Sequence, residues 1–255
     1  MAWKFVAFCC NLRYFREGYF SRECKGRMEM NIKQIIALFL YILDVTLCLV
    51  NIKRKKPRAY TLTKPFLMPL LLAVYVLFLP EGAAERNNQL LVVFALGFHT
   101  LGDILLLFPR NKSRHMFYLG MLSFFTGHMF YASWFIKADV GHAAKPAIFA
   151  TIIALAFQYM IFRQLVLGPR KYAPKLMPYT CGLMAVFISI ASTLGAGSPI
   201  YASLISLVGI ALFTFSDFCI MRRMVRLPLF GQMVVMSTYI LGQSLIILGM
   251  LLMQA

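Results

Sequence analysis

Residues 200–221 read IYASLISLVGIALFTFSDFCIM, an apolar run in which Asp217 is the one charged side chain. The run has the length of roughly 20 residues that a helix needs to cross the hydrocarbon core of a bilayer. An ionisable side chain at the centre of such a helix costs roughly 3 kcal/mol unless it faces a polar cavity. The run therefore predicts a membrane-spanning helix, and it marks Asp217 as a candidate functional residue.

A second aspartate ends a matching phrase earlier in the chain. The phrase Thr214-Phe215-Ser216-Asp217 has a counterpart in Thr100-Leu101-Gly102-Asp103, which lies in an apolar segment of its own. At nearly the same spacing, Gly127-His128 follows the first phrase and Gly242-Gln243 follows the second. The phrases lie an even number of predicted helices apart, and such an offset is typical of a parallel internal repeat with its functional site between the halves. The sequence therefore predicts a 4+4 repeat.

The composition excludes a soluble globular protein. Of the 255 residues, 60% are hydrophobic and 14% are charged, with a mean hydropathy of +0.73. We predict an all-α polytopic membrane protein of about eight transmembrane helices. Residues 1–31 are expected to form a basic N-terminal extension outside the membrane, and residues 32–255 a single membrane domain. The predicted spans are residues 35–50, 66–79, 90–108, 116–136, 147–167, 176–194, 200–221 and 229–253.

The charge distribution predicts the orientation of the spans. Lys and Arg total 26 against 9 Asp and Glu, and they cluster after the odd-numbered spans, for example at residues 53–58 and 222–226. The positive-inside rule makes those loops cytosolic, and it explains the excess charge without nucleic-acid binding. Asp103 and Asp217 then each lie about five residues from the cytosolic end of their spans, roughly 7 Å inside it. The basic residues of the N-terminal tail do not fit the alternation, so the orientation of the tail and of the first span stays open.

Further polar residues accompany the aspartates inside the predicted spans. His99 and Asp103 are four residues apart and therefore share one helix face. His128 lies about halfway along the fourth span, and Tyr239 and Gln243 share a face of the eighth. Each of these side chains could form an ordinary hydrogen bond between helices, and His99 could equally relay protons for Asp103. Together they are expected to face the same core as the aspartates.

The sequence patterns typical of zinc sites, other metal sites and serine nucleophiles are absent. The six cysteines form no C-x-x-C pair and no zinc-type spacing with histidine. His99, Asp103, His128 and Asp217 are of ligand type, but no tight spacing such as H-E-x-x-H is present, so we predict neither a metal nor another cofactor. No G-x-S-x-G nucleophile elbow occurs.

These residues resemble the lysoplasmalogenase (YhhN-like) family of integral membrane proteins. The similarity extends from about residue 60 to residue 250 and leaves the N-terminal extension outside. The segments that carry the resemblance are Lys64-Pro65, Leu101-Gly102-Asp103, residues 127–132, Phe215-Ser216-Asp217 and residues 236–243. His99 is not part of the pattern.

The resemblance implies an ether-bond hydrolase. Its expected reaction cleaves the vinyl-ether bond of a lysoplasmalogen to a fatty aldehyde and glycerophosphocholine or glycerophosphoethanolamine. One of Asp103 and Asp217 would protonate the alkenyl carbon. The other would stabilise the oxocarbenium ion and activate water, much as paired carboxyl groups act in glycosidases. The supporting residues are expected to be Lys64 at the substrate phosphate, and His128, Tyr239 and Gln243 at water or hydroxyl groups.

The expected partners are the lysophospholipid substrate within the bilayer and other membrane lipids, and the substrate class points to the endoplasmic reticulum membrane. A proton-coupled transporter or a lipid-moving protein is the alternative, because paired acids at a repeat interface also serve carriers. An intramembrane aspartyl protease fits poorly, because its Gly-x-Gly-Asp phrase is absent: residue 100 is Thr. The sequence does not determine which aspartate is the acid, which head group is preferred, or the oligomeric state.

Overall fold

The computed structural model describes residues 31–80, 88–108, 114–137, 142–166, 173–224 and 230–254, so the predicted N-terminal extension lies outside the described residues except for Asn31. Regular secondary structure in these ranges is entirely helical. The helices are α1 (Ile32–Lys53), α2 (Pro57–Thr63), α3 (Leu67–Phe78), α4 (Gln89–Leu105), α5 (Arg114–Lys137), α6 (Ala144–Val166), α7 (Ala173–Ser192), α8 (Ile200–Met224) and α9 (Gln232–Gln254).

The helices have the lengths and apolar surfaces of membrane spans. Within the described ranges, five segments are long and apolar enough to cross a bilayer: Ile32–Lys53, Pro57–Phe78, Ala144–Arg163, Ile200–Arg223 and Gln232–Gln254. The helix α4 and the Met177–Ser192 part of α7 are shorter apolar helices, and α5 has 24 residues with more polar side chains. Large apolar side chains are exposed along α6, where they would face lipid. The predicted all-α polytopic membrane fold is confirmed.

The second span differs from the prediction. The sequence predicted a span over residues 66–79 that begins directly after Lys64-Pro65, but the helical segment begins at Pro57 and continues to Phe78 through a 3₁₀ turn at Lys64–Phe66. Pro65 has no N–H group and its ring crowds the preceding turn, so the helix tightens locally instead of ending. Lys64 therefore lies inside the helical segment rather than at its start, and its side chain is buried.

The contacts between helices follow the predicted repeat. In the first half, α1 packs on α3, α3 on α4, and α4 on α5. In the second half, α6 packs on α7, α7 on α8, and α8 on α9. Between the halves, α5 packs on α7, and α9 packs on both α3 and α1. Since α2 and α3 together form one span, each of these contacts except that of α9 with α1 has a described counterpart four spans further along the chain, as a 4+4 repeat would have.

Two glycines at equivalent positions, one in each half, lie where neighbouring helices cross closely. A Cβ atom on Gly127 would lie 3.0 Å from the carbonyl oxygen of Ala95, and one on Gly242 would lie 2.8 Å from the carbonyl oxygen of Gly209. Small residues allow such close approach in membrane helices, where packing supplies much of the association energy. His128 and Gln243, which follow these glycines, therefore lie next to the crossing point of the two helices in each half.

We expect Gly242→Ala to destabilise the protein, because the added methyl group would overlap the backbone of α8. Overpacking of this kind typically costs about 1–3 kcal/mol, which would lower the thermal unfolding temperature in detergent micelles. The matched control is Gly97→Ala, where no atom lies within 4 Å of the new Cβ. Its unfolding temperature should be unchanged or slightly raised, because alanine favours a helix over glycine. Equal unfolding temperatures for the two variants would contradict the close crossing of α8 and α9.

Candidate active site

Asp103 is buried at the junction of three helical segments. It lies near the end of α4 with 1% of its surface exposed. The Nζ atom of Lys64 lies 3.0 Å from its Oδ1, and the hydroxyl group of Tyr239 on α9 donates a hydrogen bond of 2.7 Å to its Oδ2. The 3₁₀ turn before α3 places Lys64 at this site. Both oxygens of the Asp103 carboxylate are therefore bound by donors, one of them a cation.

Asp217 lies on α8 in a similarly buried position, with 6% of its surface exposed. Its Oδ2 accepts a hydrogen bond from the hydroxyl group of Tyr179 on α7. Tyr179 is linked through the rings of His128 and Phe213 to Tyr239, which binds Asp103. The two aspartates that the sequence paired are thus joined through one cluster of buried side chains, but their immediate partners differ.

Aromatic rings surround this cluster. The ring of Tyr239 lies 5.4 Å from the ring of Phe213 and 6.2 Å from that of Phe124, between ring centroids. The ring of His128 lies 4.9 Å from Phe213 and 5.8 Å from Tyr179. These rings exclude water from the carboxyl groups, and a low local dielectric strengthens every charge interaction there.

A second set of polar side chains adjoins the carboxyl groups. The His99 Nε2 lies 2.9 Å from the Nδ1 of His128, and the Gln243 Nε2 lies 3.4 Å from the Nδ1 of His99. The hydroxyl group of Tyr131 donates a hydrogen bond of 2.8 Å to the Oε1 of Gln243. All four side chains are almost completely buried. The described hydrogen bonds of His99 therefore join it to His128 and Gln243, rather than to Asp103, its neighbour on the same helix face.

Sequence reasoning missed some members of the cluster. Tyr179, which binds Asp217, follows Pro178 inside α7, and no recurring phrase contains it. Phe213 could have been found from the repeat, because it precedes Asp217 by the same interval that separates His99 from Asp103. Asp44, a further buried acid on α1, takes no part in the hydrogen bonds described for the cluster.

The cluster offers carboxylates and imidazoles, which are metal-ligand types. Across the described ranges, no group of three or more His, Cys, Asp or Glu side chains could hold a metal ion. What the cluster does combine is two carboxyl groups, an ammonium group and several hydroxyl and imidazole groups in an apolar setting. This combination can store, donate and accept protons away from bulk water.

Comparison with protein families identifies one to which most of the chain is similar. Residues 59–250 match the family model described as the YhhN family. A comparison with the curated proteins and one with the solved structures gave no match.

A double-mutant cycle should show that the contributions of Lys64 and Asp103 to the stability of the protein are coupled. Removing one partner of a buried ion pair leaves an uncompensated charge and typically costs about 3–5 kcal/mol. We therefore expect Lys64→Met and Asp103→Leu each to lower the thermal unfolding temperature in detergent strongly. The double variant, which buries no charge, should recover most of the loss. Lys53→Met, at an exposed lysine, is the control and should be nearly neutral. Additive losses in the double variant would rule out the pair.

Proposed function

The chain belongs to the YhhN family, which is associated with hydrolase activity, and from this premise we propose that it is a lysoplasmalogenase of the membrane. It would cleave the vinyl-ether bond of alkenyl lysophospholipids to a fatty aldehyde and glycerophosphocholine or glycerophosphoethanolamine. The observation that carries the proposal is the pair of buried aspartates with unlike partners: Asp103 binds an ammonium group, whereas Asp217 binds a tyrosine hydroxyl. We assign the protein to the endoplasmic reticulum membrane on the basis of this substrate class.

The different partners suggest a role for each aspartate. Charge-assisted hydrogen bonds favour an ionised carboxylate, and Asp103 receives one from Lys64 and a further bond from Tyr239. Asp217, whose described hydrogen bond comes from a neutral hydroxyl group, is the better candidate to hold a proton next to this negative charge. We therefore assign Asp217 as the acid and Asp103 as the base. Lys64 is assigned to Asp103 rather than to the substrate phosphate.

The proposed reaction begins with proton transfer to carbon. Asp217 gives its proton to the β carbon of the alkenyl group, and the electrons of the double bond form the new C–H bond. The resulting oxocarbenium ion lies near the Asp103 carboxylate, which stabilises it as the second carboxyl group of a glycosidase does. Water attacks the cationic carbon and its proton passes to Asp103, giving a hemiacetal.

Collapse of the hemiacetal returns both carboxyl groups to their starting states. The hemiacetal O–H gives its proton to the Asp217 carboxylate as the carbonyl group of the aldehyde forms. The bond to the glycerol oxygen breaks, and that oxygen takes the proton held by Asp103. One water molecule is consumed, and no redox step or cofactor is needed. The aromatic rings around the site would keep the oxocarbenium ion from unwanted reactions with bulk water.

A second candidate function has one observation in its favour. The equivalent packing of the two halves is also the architecture of many carriers, whose sites lie between repeats. A proton-coupled transporter or a lipid-moving protein would use the same aspartates to bind and release protons. Such a protein would release no aldehyde from an alkenyl lysophospholipid, so one assay separates the two functions.

That assay measures aldehyde release from a defined alkenyl lysophospholipid by the purified protein. We expect activity in the wild type, and a loss of about a hundredfold or more in Asp103→Asn and Asp217→Asn, because general acid–base groups contribute about 10²–10⁴-fold. Asp44→Asn is the matched control, a buried acid on α1 that lies outside the cluster, and it should retain activity. Folding of every variant is checked by thermal unfolding. No aldehyde from a folded wild type would favour the transporter.

Hydrolysis in D₂O should reveal the proton transfer to carbon. Because the acid proton becomes part of a new C–H bond, the aldehyde should carry one deuterium on the carbon next to its carbonyl group. The rate should also fall severalfold if that transfer limits it. Mass spectrometry of the trapped aldehyde measures the label, and hydrolysis in H₂O is the control. An unlabelled aldehyde would exclude the proposed first step.

A further inference from the structure

The hydrogen bonds that lead to His128 have a defined direction. The Oε1 atom of Gln243 can only accept, so the Tyr131 hydroxyl at 2.8 Å donates to it. This bond turns the amide nitrogen of Gln243 towards the Nδ1 of His99, at 3.4 Å. The amide nitrogen can only donate. The Nδ1 of His99 is therefore an acceptor and carries no hydrogen.

The same direction continues through the two imidazoles. A neutral imidazole without a hydrogen on Nδ1 carries it on Nε2. The Nε2 of His99 thus donates to the Nδ1 of His128, 2.9 Å away. His128 then accepts at Nδ1, and its own hydrogen must lie on Nε2. With the Gln243 amide oriented as in the structure, Tyr131, Gln243 and His99 together favour the Nε2–H tautomer of His128.

The Nε2 atom of His128 is buried and has no hydrogen-bond partner among the described residues. His128 is only 1% exposed, so its N–H group is a donor without an acceptor in an apolar setting. Such a group is costly unless something else accepts from it. The His128 ring lies against the rings of Phe213 and Tyr179, and Tyr179 binds the Asp217 carboxyl group. The residue that carries the unmatched donor therefore adjoins the carboxyl cluster.

We propose that the Nε2–H group of His128 positions the substrate by donating to the free hydroxyl oxygen on the glycerol backbone of the lysolipid. This inference rests on the proposed function. A donor at the ether oxygen itself would oppose the positive charge that develops there, whereas the neighbouring hydroxyl oxygen stays neutral. A site built around a substrate hydroxyl strongly rejects analogues that lack it, because its own polar group is then left unpaired. His128 is accordingly a specificity-determining residue.

Nuclear magnetic resonance on ¹⁵N-histidine-labelled protein tests the tautomer without any activity assay. The chain has only four histidines, which keeps assignment by substitution simple. The Nε2 atom of His142 lies 2.7 Å from the carbonyl oxygen of Ile136, so His142 provides an internal reference for the Nε2–H form. At a pH where the imidazoles are neutral, His128 should show the same form. An Nδ1–H tautomer at His128 would overturn the inference.

Gln243→Leu tests whether Gln243 determines the tautomer of His128. Without the amide donor, the tautomer of His99 is no longer determined, and the ¹⁵N signals of His128 should move towards an average of the two tautomers. The matched control is Gln158→Leu on α6, where the amide hydrogen bond goes to Thr180 and away from this set of side chains. Its His128 signals should be unchanged. Unaltered His128 signals in Gln243→Leu would overturn the proposed relay.

Substrate positioning is tested with a saturated alkyl-ether lysophospholipid, which cannot be hydrolysed, and with its analogue that lacks the glycerol hydroxyl group. The first should shift the His128 Nε2 signal and the second should not; equal shifts would overturn the hydroxyl contact. His128→Gln, whose amide can supply a donor at a similar position, should retain at least tenfold more aldehyde-releasing activity than His128→Phe.

The two proposals can fail separately. A wild-type protein that releases no aldehyde, but whose His128 signal responds to the ether lipid in this way, would refute the hydrolase and support the binding role. Aldehyde release that is equal in the wild type and in folded His128→Phe would refute the role of His128 alone.

Discussion

The buried ion pair between Lys64 and Asp103 is the constraint on which the arrangement of the site depends. Two charges in an apolar interior are tolerated only when they meet with good geometry and further hydrogen bonds. Lys64 on the 3₁₀ turn between α2 and α3 binds one carboxylate oxygen of Asp103, and the hydroxyl group of Tyr239 on α9 donates a hydrogen bond to the other. The pair therefore ties the second, third and eighth spans together at one point, and it gives Asp103 a different environment from Asp217.

The other buried polar side chains around this pair form hydrogen bonds with one another. Tyr179 binds Asp217, and Tyr131, Gln243 and His99 form a directed series of hydrogen bonds that ends at His128. A low dielectric strengthens satisfied networks and penalises unsatisfied groups. The one donor in this series that lacks a partner among the described residues is accordingly the most informative atom of the site. It is the observation on which the substrate contact proposed for His128 rests.

Much of the membrane fold could be predicted, because long apolar runs and their breakers are local features of the chain. The spans in the sequence correspond to the helical segments, and the two aspartate phrases indicated the repeat that the helix contacts follow. The second span was predicted too short because Pro65 looks like a helix start. A proline can also be accommodated by a 3₁₀ turn, and local sequence does not decide between these outcomes.

Asp103, Asp217 and His128 can be singled out from the chain alone, because each is an ionisable residue within a long apolar run and needs a polar partner there. Their partners cannot be found in this way, since Lys64, Tyr179 and His99 come from other helices and carry no spacing signal towards the groups they bind. An apolar run is a local feature of one helix, whereas pairing depends on how helices distant in sequence cross. The role proposed for each carboxyl group follows from the second kind of information.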